Sequence, residues 1–112
     1  MKCTMLLFRV FRIFPLCVSQ LACISDFIAT HHRKPYVLDI GCGTGLLSLQ
    51  AARAGAQRVY ACEMFAGWAE IATKNVAANG YQDVITVFNK HSSTLTVRPA
   101  GKENDGTYGK VV

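Results

Sequence analysis

The chain is short of charge and shorter still of acid. Charged residues make up 17% of its 112 positions and hydrophobic ones 51%, which excludes a disordered tail and supplies enough apolar material for one buried core. The five cysteines, Cys3, Cys17, Cys23, Cys42 and Cys62, contain no C-x-x-C pair and are odd in number, so neither a disulfide framework nor a zinc site is expected. They read as small buried hydrophobes in a reducing, cytoplasmic or nuclear setting. His31, His32 and His91 have no ligand spacing to one another or to carboxylates; solvated or core histidines are expected, and no metal site. Nor does the N-terminal third hold a membrane span. Its longest uncharged stretch, Ile13 to Ser25, falls well short of the ~20 residues a bilayer requires.

Acid is scarcest before Pro35. Lys2, Arg9, Arg12, Arg33 and Lys34 face Asp26 alone, so +4 of the net charge of +5 lies there. The remainder is nearly neutral, which argues against a nucleic-acid footprint. Residues 1–34 are therefore set apart as a segment of uncertain structure. "MKCTMLLFRVFRIFPLCVSQLACISDF" opens like a secretory signal, but Arg9, Arg12 and Pro15 interrupt it. A docked helix, a poor signal or membrane-surface segment, and the start of a truncated gene model all stay open.

From residue 35 to 112 the punctuation is regular. "YVLDI" reads as a buried strand ending in glycine, and "LLSLQAARAG" as a helix with Gly55 just past its end. "RVYACE" is a second strand. "FAGWAEIATKNVAANG" is a second helix, with Phe65, Trp68, Ala69, Ala72 and Val76 at helical spacing and Gly80 closing it; "VITVFNK" is a third strand. Alternating strands and helices with short connections predict an α/β fold, a partial doubly wound, Rossmann-like sheet of parallel strands and crossover helices. After Val97 comes a polar, glycine-bearing loop, and "KVV" is a candidate start for a fourth strand.

Three glycines fall within five positions of the first strand-to-helix turn. Glycine there admits positive φ and lets a ligand approach without a Cβ in the way, and the helix behind it offers free N–H groups to an anionic group. A dinucleotide turn reads G-x-G-x-x-G, but the third glycine's place is taken by Leu46. The turn instead reads G-x-G-x-G, as Gly41, Gly43 and Gly45, after Asp39. Glu63 closes the next strand, where a carboxylate can accept two hydrogen bonds from a ribose diol.

"VLDIGCGTGLLSLQAARAGAQRVYACE" resembles motif I and the following acidic strand of class I S-adenosylmethionine-dependent methyltransferases, in particular the protein arginine methyltransferases. "NVAANGYQDVITVFNKHSS" is similar to the branch of that family numbered seven. The resemblance covers roughly residues 35–97. It implies S-adenosyl-L-methionine as cofactor and an arginine-bearing protein as substrate. Gly41, Gly43 and Gly45 would pass under the methionine portion, with Asp39 holding the turn and orienting the amino group. Glu63 would bind the ribose hydroxyls, Met64 would lie beside the adenine, and Ser92 near its polar edge. Lys90 and His91 receive no role.

The family's loop of two glutamates that grip the guanidinium is not matched, nor are its barrel, its dimerisation arm or the N-terminal helix that closes over the cofactor. No catalytic residue is therefore assigned. The resemblance implies a fragment that binds cofactor without turnover when alone, and a family strand order in which the missing fourth strand leaves one edge of "YVLDI" unpaired. A non-catalytic cofactor-binding module and, against Leu46, a nicotinamide-dependent oxidoreductase are the other readings.

Overall fold

The computed structural model describes residues 5–9, 15–98 and 110–111, with side chains across 22–96. Cys3, the polar run 99–109 and the side chain of Cys17 lie outside the described residues.

Four short apolar segments become strands: β1 (Met5–Arg9), β2 (Tyr36–Ile40), β3 (Arg58–Cys62) and β4 (Ile85–Phe88). They form one parallel sheet in the order β1, β2, β3, β4. Parallel neighbours cannot be joined by a tight turn, so each connection needs a crossover. α1 (Pro15–His31), α2 (Leu46–Arg53) and α3 (Ala66–Ala78) provide them. Pro15 takes the first position of α1, where its missing N–H and fixed φ cost nothing. Gly55 and Gly80, at φ 106 and 74, end α2 and α3 as the sequence predicts.

The pleat sorts the strand residues. Val37, Val59, Ala61 and Ile85 form one cluster with Ile24 of α1, Ala51 and Ala52 of α2, and Ala72 and Val76 of α3. On the alternate positions Tyr36, Leu38 and Tyr60 make a second cluster with Ile40, Phe88 and Leu95. Each fully buried aliphatic side chain of the first cluster stabilises the fold by about 1.5–3 kcal/mol. Asp39 falls on the helix-facing set, between Val37 and the turn, and this is how a carboxylate comes to lie beneath α2.

Four expectations are corrected. The edge of β2 expected to be unpaired is occupied: Met5 through Arg9 pair with Tyr36 through Ile40. "MLLFR" is apolar enough to be a strand, and α1 is a crossover long enough to return it parallel. "KVV" does not extend the sheet. Lys110–Val111 (β6) pairs antiparallel with Val97–Arg98 (β5) as a separate ladder. Phe65 and Trp68 are not core; they are 61% and 50% exposed, while Ala69, Ala72 and Val76 are buried. Phe65 is the extended N-cap of α3, and Trp68 lies about 100° around the helix from Ala69. Finally, Cys23 is exposed whereas Cys42 and Cys62 are buried, because α1 turns Ile24 and Phe27 inward instead. Among the described residues no helix is long and apolar enough to cross a membrane, and no group of side chains could hold a metal ion.

Candidate cofactor-binding site

The chain leaves β2 through Gly41, Gly43 and Gly45, at φ 72, 56 and 88. The N–H groups of Gly41 and Cys42 both donate to the carbonyl of Cys62, at 2.8 and 3.0 Å, folding the turn back over the end of β3. The three glycines differ in surroundings. A Cβ on Gly45 would touch the Ala72 Cβ at an ordinary 3.4 Å, so it is the φ of 88 that favours glycine there; a Cβ on Gly41 or Gly43 would meet nothing within 4 Å among the described residues. Those two positions face open space.

Beneath the turn, Asp39 is 1% exposed. The Ser48 hydroxyl donates to its Oδ2 at 2.6 Å, and Oδ1 has no partner among the described residues. Burial raises the Asp39 carboxyl above its ordinary value of 3.8; hydrogen bonds from Ser48 oppose this and the charge of Glu63 adds to it. The folded chain therefore holds this proton to higher pH than the unfolded chain does. Its contribution to stability is complete below 3.8 and is lost as pH rises through the raised value. Asp39→Asn, which still offers Ser48 an acceptor, is expected to remove that fall. Melting curves from about pH 3 to 7 would show a flatter profile for the variant, and parallel profiles would refute the assignment.

Glu63, 6% exposed, stands at the end of β3 with both oxygens employed. Oε2 accepts from the N–H of Gly43 at 3.0 Å and Oε1 from that of Phe65 at 3.1 Å. One carboxylate thus joins the glycine turn to the start of α3, and each oxygen keeps a lone pair for a further donor. Beside it a cavity of about 290 Å³ is lined by Gly41, Glu63, Met64 and Ser92, together with Ile40, Cys62, Phe65, Lys90 and His91. Four of the seven sequence-predicted residues therefore meet in one cleft. Gly43 joins them through Glu63, whereas Asp39 and Gly45 lie behind the turn, outside the lining.

The Cys42 thiol is pushed up to about 12 by burial and by the negative charges of Asp39 and Glu63, so it is a packing group here and not a nucleophile. His91 starts a single 3-10 turn (Ser92–Thr94), with Nδ1 accepting from the N–H of Ser93 at 3.2 Å.

Three supporting residues escape the sequence. Ser48 holds Asp39. Asn75 donates from α3 to the Thr44 carbonyl at 2.9 Å, and Asn89 donates to the carbonyls of Glu63 and Met64 at 2.9 and 3.2 Å. Asparagine on a helix or after a strand is ordinarily a solvated residue, so nothing in the spacing singles these two out.

The family model described as ribosomal protein L11 methyltransferase (PrmA) matches residues 16–105. Protein arginine N-methyltransferase 7 of Mus musculus is 55% identical over 69 residues, 62% of this chain and 10% of the relative. An arginine N(omega)-methyltransferase of Streptomyces achromogenes subsp. streptozoticus is 51% identical over 77 residues, 68% of this chain and 21% of the relative. Among solved structures, PRMT6 with SAH superposes with a TM-score of 0.50 at 29% identity, covering 68% of this chain and 25% of that one. The chain spans only 10% of the length of the mouse relative. It belongs to the ribosomal protein L11 methyltransferase (PrmA) family that the model describes, and over 69 residues it is similar to protein arginine N-methyltransferase 7.

Proposed function

We propose that this chain forms the cofactor-binding part of a protein arginine methyltransferase, holding S-adenosyl-L-methionine for methyl transfer to a guanidinium nitrogen of an arginine-bearing protein. The single observation that carries the reading is the junction of Glu63 with Gly43 at the mouth of the cleft. The residues fit the cofactor. Glu63 retains acceptor capacity for two ribose hydroxyls, and the volume is near the lower end of small-molecule sites, about 300 Å³. The space over Gly41 and Gly43 is clear of side chains. In this reading Glu63 binds the ribose, Met64 flanks the adenine and Ser92 meets its polar edge. Gly41 and Gly43 let the methionine portion lie against the turn, and Asp39 with its unpartnered Oδ1 holds the turn and draws the amino group. Gly45, at φ 88, closes the turn where a left-handed backbone is needed.

When bound, the cofactor supplies an electrophilic methyl group on a sulfonium. The chain's contribution to such a transfer is positioning, which accounts for most of what an enzyme adds to a two-reactant displacement. Identity above 50% to two arginine methyltransferases favours a guanidinium acceptor over the substrate named in the family model. A cytoplasmic or nuclear setting suits Cys42 and Cys62, free thiols at the site.

Titration calorimetry of the chain with S-adenosylhomocysteine and with NAD tests this. Binding of the first in clear preference to the second is expected. Equal or reversed preference would return the turn to the dinucleotide class.

A further inference from the structure

β3 and β4 cease to pair at Cys62 and Phe88, and the last main-chain link between them is the N–H of Glu63 donating to the Phe88 carbonyl at 3.0 Å. Beyond that point the two strands diverge into opposite walls of the cleft. One wall is Glu63, Met64 and Phe65; the other is Lys90, His91 and Ser92. Among the described residues one side chain ties them together. Asn89, the last residue before the second wall, places its Nδ2 at 2.9 Å from the Glu63 carbonyl and 3.2 Å from that of Met64. A primary amide carries two N–H donors on one nitrogen. Both can be satisfied here by successive carbonyls, so Asn89 continues the β3–β4 ladder one step past the last backbone pair.

We propose that Asn89 is a positioning residue for nucleoside recognition: by pinning the Glu63–Met64 corner to the start of the Lys90–Ser92 wall, it sets the width of the cleft in which the base is gripped. The proposal rests on the cofactor-binding reading above. Its logic is geometric. Glu63 addresses the ribose and Ser92 the far edge of the base, so discrimination between bases depends on the spacing between the two, and Asn89 is the side chain that bridges their walls. Residue 89 is solvent-exposed, so its replacement removes the tie without opening the core. Alanine deletes both donors. Aspartate, nearly the same in shape, turns two acceptors toward two carbonyls and drives the walls apart.

The test is calorimetry of the full chain, as wild type, Asn89→Ala and Asn89→Asp, with S-adenosylhomocysteine and with its deaminated analogue S-inosylhomocysteine. Wild type is expected to prefer the adenine compound. Asn89→Ala is expected to bind it about tenfold more weakly, the scale of one hydrogen-bonding group lost, Asn89→Asp more weakly still, and in both the preference over the inosine analogue shrinks toward one while circular dichroism stays that of wild type. A merely structural role would weaken both ligands alike and leave the preference intact; that result, or unchanged affinity, overturns the proposal. If Asn89→Asp fails to fold, Asn89→Ala decides. Wild type binding neither ligand would instead overturn the cofactor reading on which the proposal stands.

Discussion

Glu63→Ala is expected to weaken S-adenosylhomocysteine binding by roughly 5- to 150-fold, equivalent to about 1–3 kcal/mol for a lost charge-assisted acceptor, and also to destabilise the chain when no ligand is present. The second effect follows from the two N–H groups that the carboxylate already serves. Without it, Gly43 loses its partner across the turn and Phe65 loses its side-chain acceptor at the start of α3. Each lost hydrogen bond of this kind costs about 0.5–1.5 kcal/mol, and for a domain of this size each 1 kcal/mol lowers the melting temperature by roughly 4–8 °C. Glu63→Gln, which keeps one oxygen, should fall between. Calorimetry and thermal melts on the same preparations separate the two roles. A variant that melts like wild type but no longer binds would reduce Glu63 to a ligand contact, and one that binds like wild type would remove it from the site.

Gly43→Val is expected to abolish binding while preserving helix content. Valine at φ 56 is a β-branched residue in a region that such residues essentially avoid, and the strain is about 1–3 kcal/mol. Among the described residues nothing would collide with the first added carbon, since no atom lies within 4 Å of it. The fold can therefore carry the substitution, and the branched side chain projects into the open space beside the Glu63 carboxylate. Gly43→Ala shares most of the backbone strain with less bulk, so retained binding in alanine with loss in valine would assign the effect to occlusion. Circular dichroism alongside the titration checks the fold, and normal binding by the valine variant would make the turn a matter of chain geometry alone.

The parts of this molecule that were legible from sequence are those in which one residue type answers one local demand. Gly55 and Gly80 end helices because positive φ is needed there, and Gly41, Gly43 and Glu63 come together because the ends of adjacent parallel strands share one edge of the sheet. Met5–Arg9 was illegible for the opposite reason. Its pattern is equally good as part of a leader, a helix or a strand, and the choice is made by β2, which offers an unpaired edge some thirty residues later along the chain. The supporting ties share that non-local character: Asn75 on Thr44 and Asn89 on Glu63 link residues 31 and 26 apart. Phe65 and Trp68 fit a helical period yet face outward, because the period fixes the spacing of a stripe and the position of the helix start decides which residues belong to it.

The unbroken parallel order of the sheet also governs how the chain must assemble in time. Met5 pairs with Tyr36, Tyr36 with Arg58 and Val59 with Ile85, so each ladder closes a loop of about twenty to thirty residues before its first bond forms. No hairpin in this sheet can zip early and serve as a template. The entropy of each crossover must be met before the ladder returns anything, which makes refolding slow for the chain's length. β2 and β3, each flanked by partners from both directions in sequence, are the last strands free to exchange their amide protons, and the order of protection by hydrogen exchange should radiate from them.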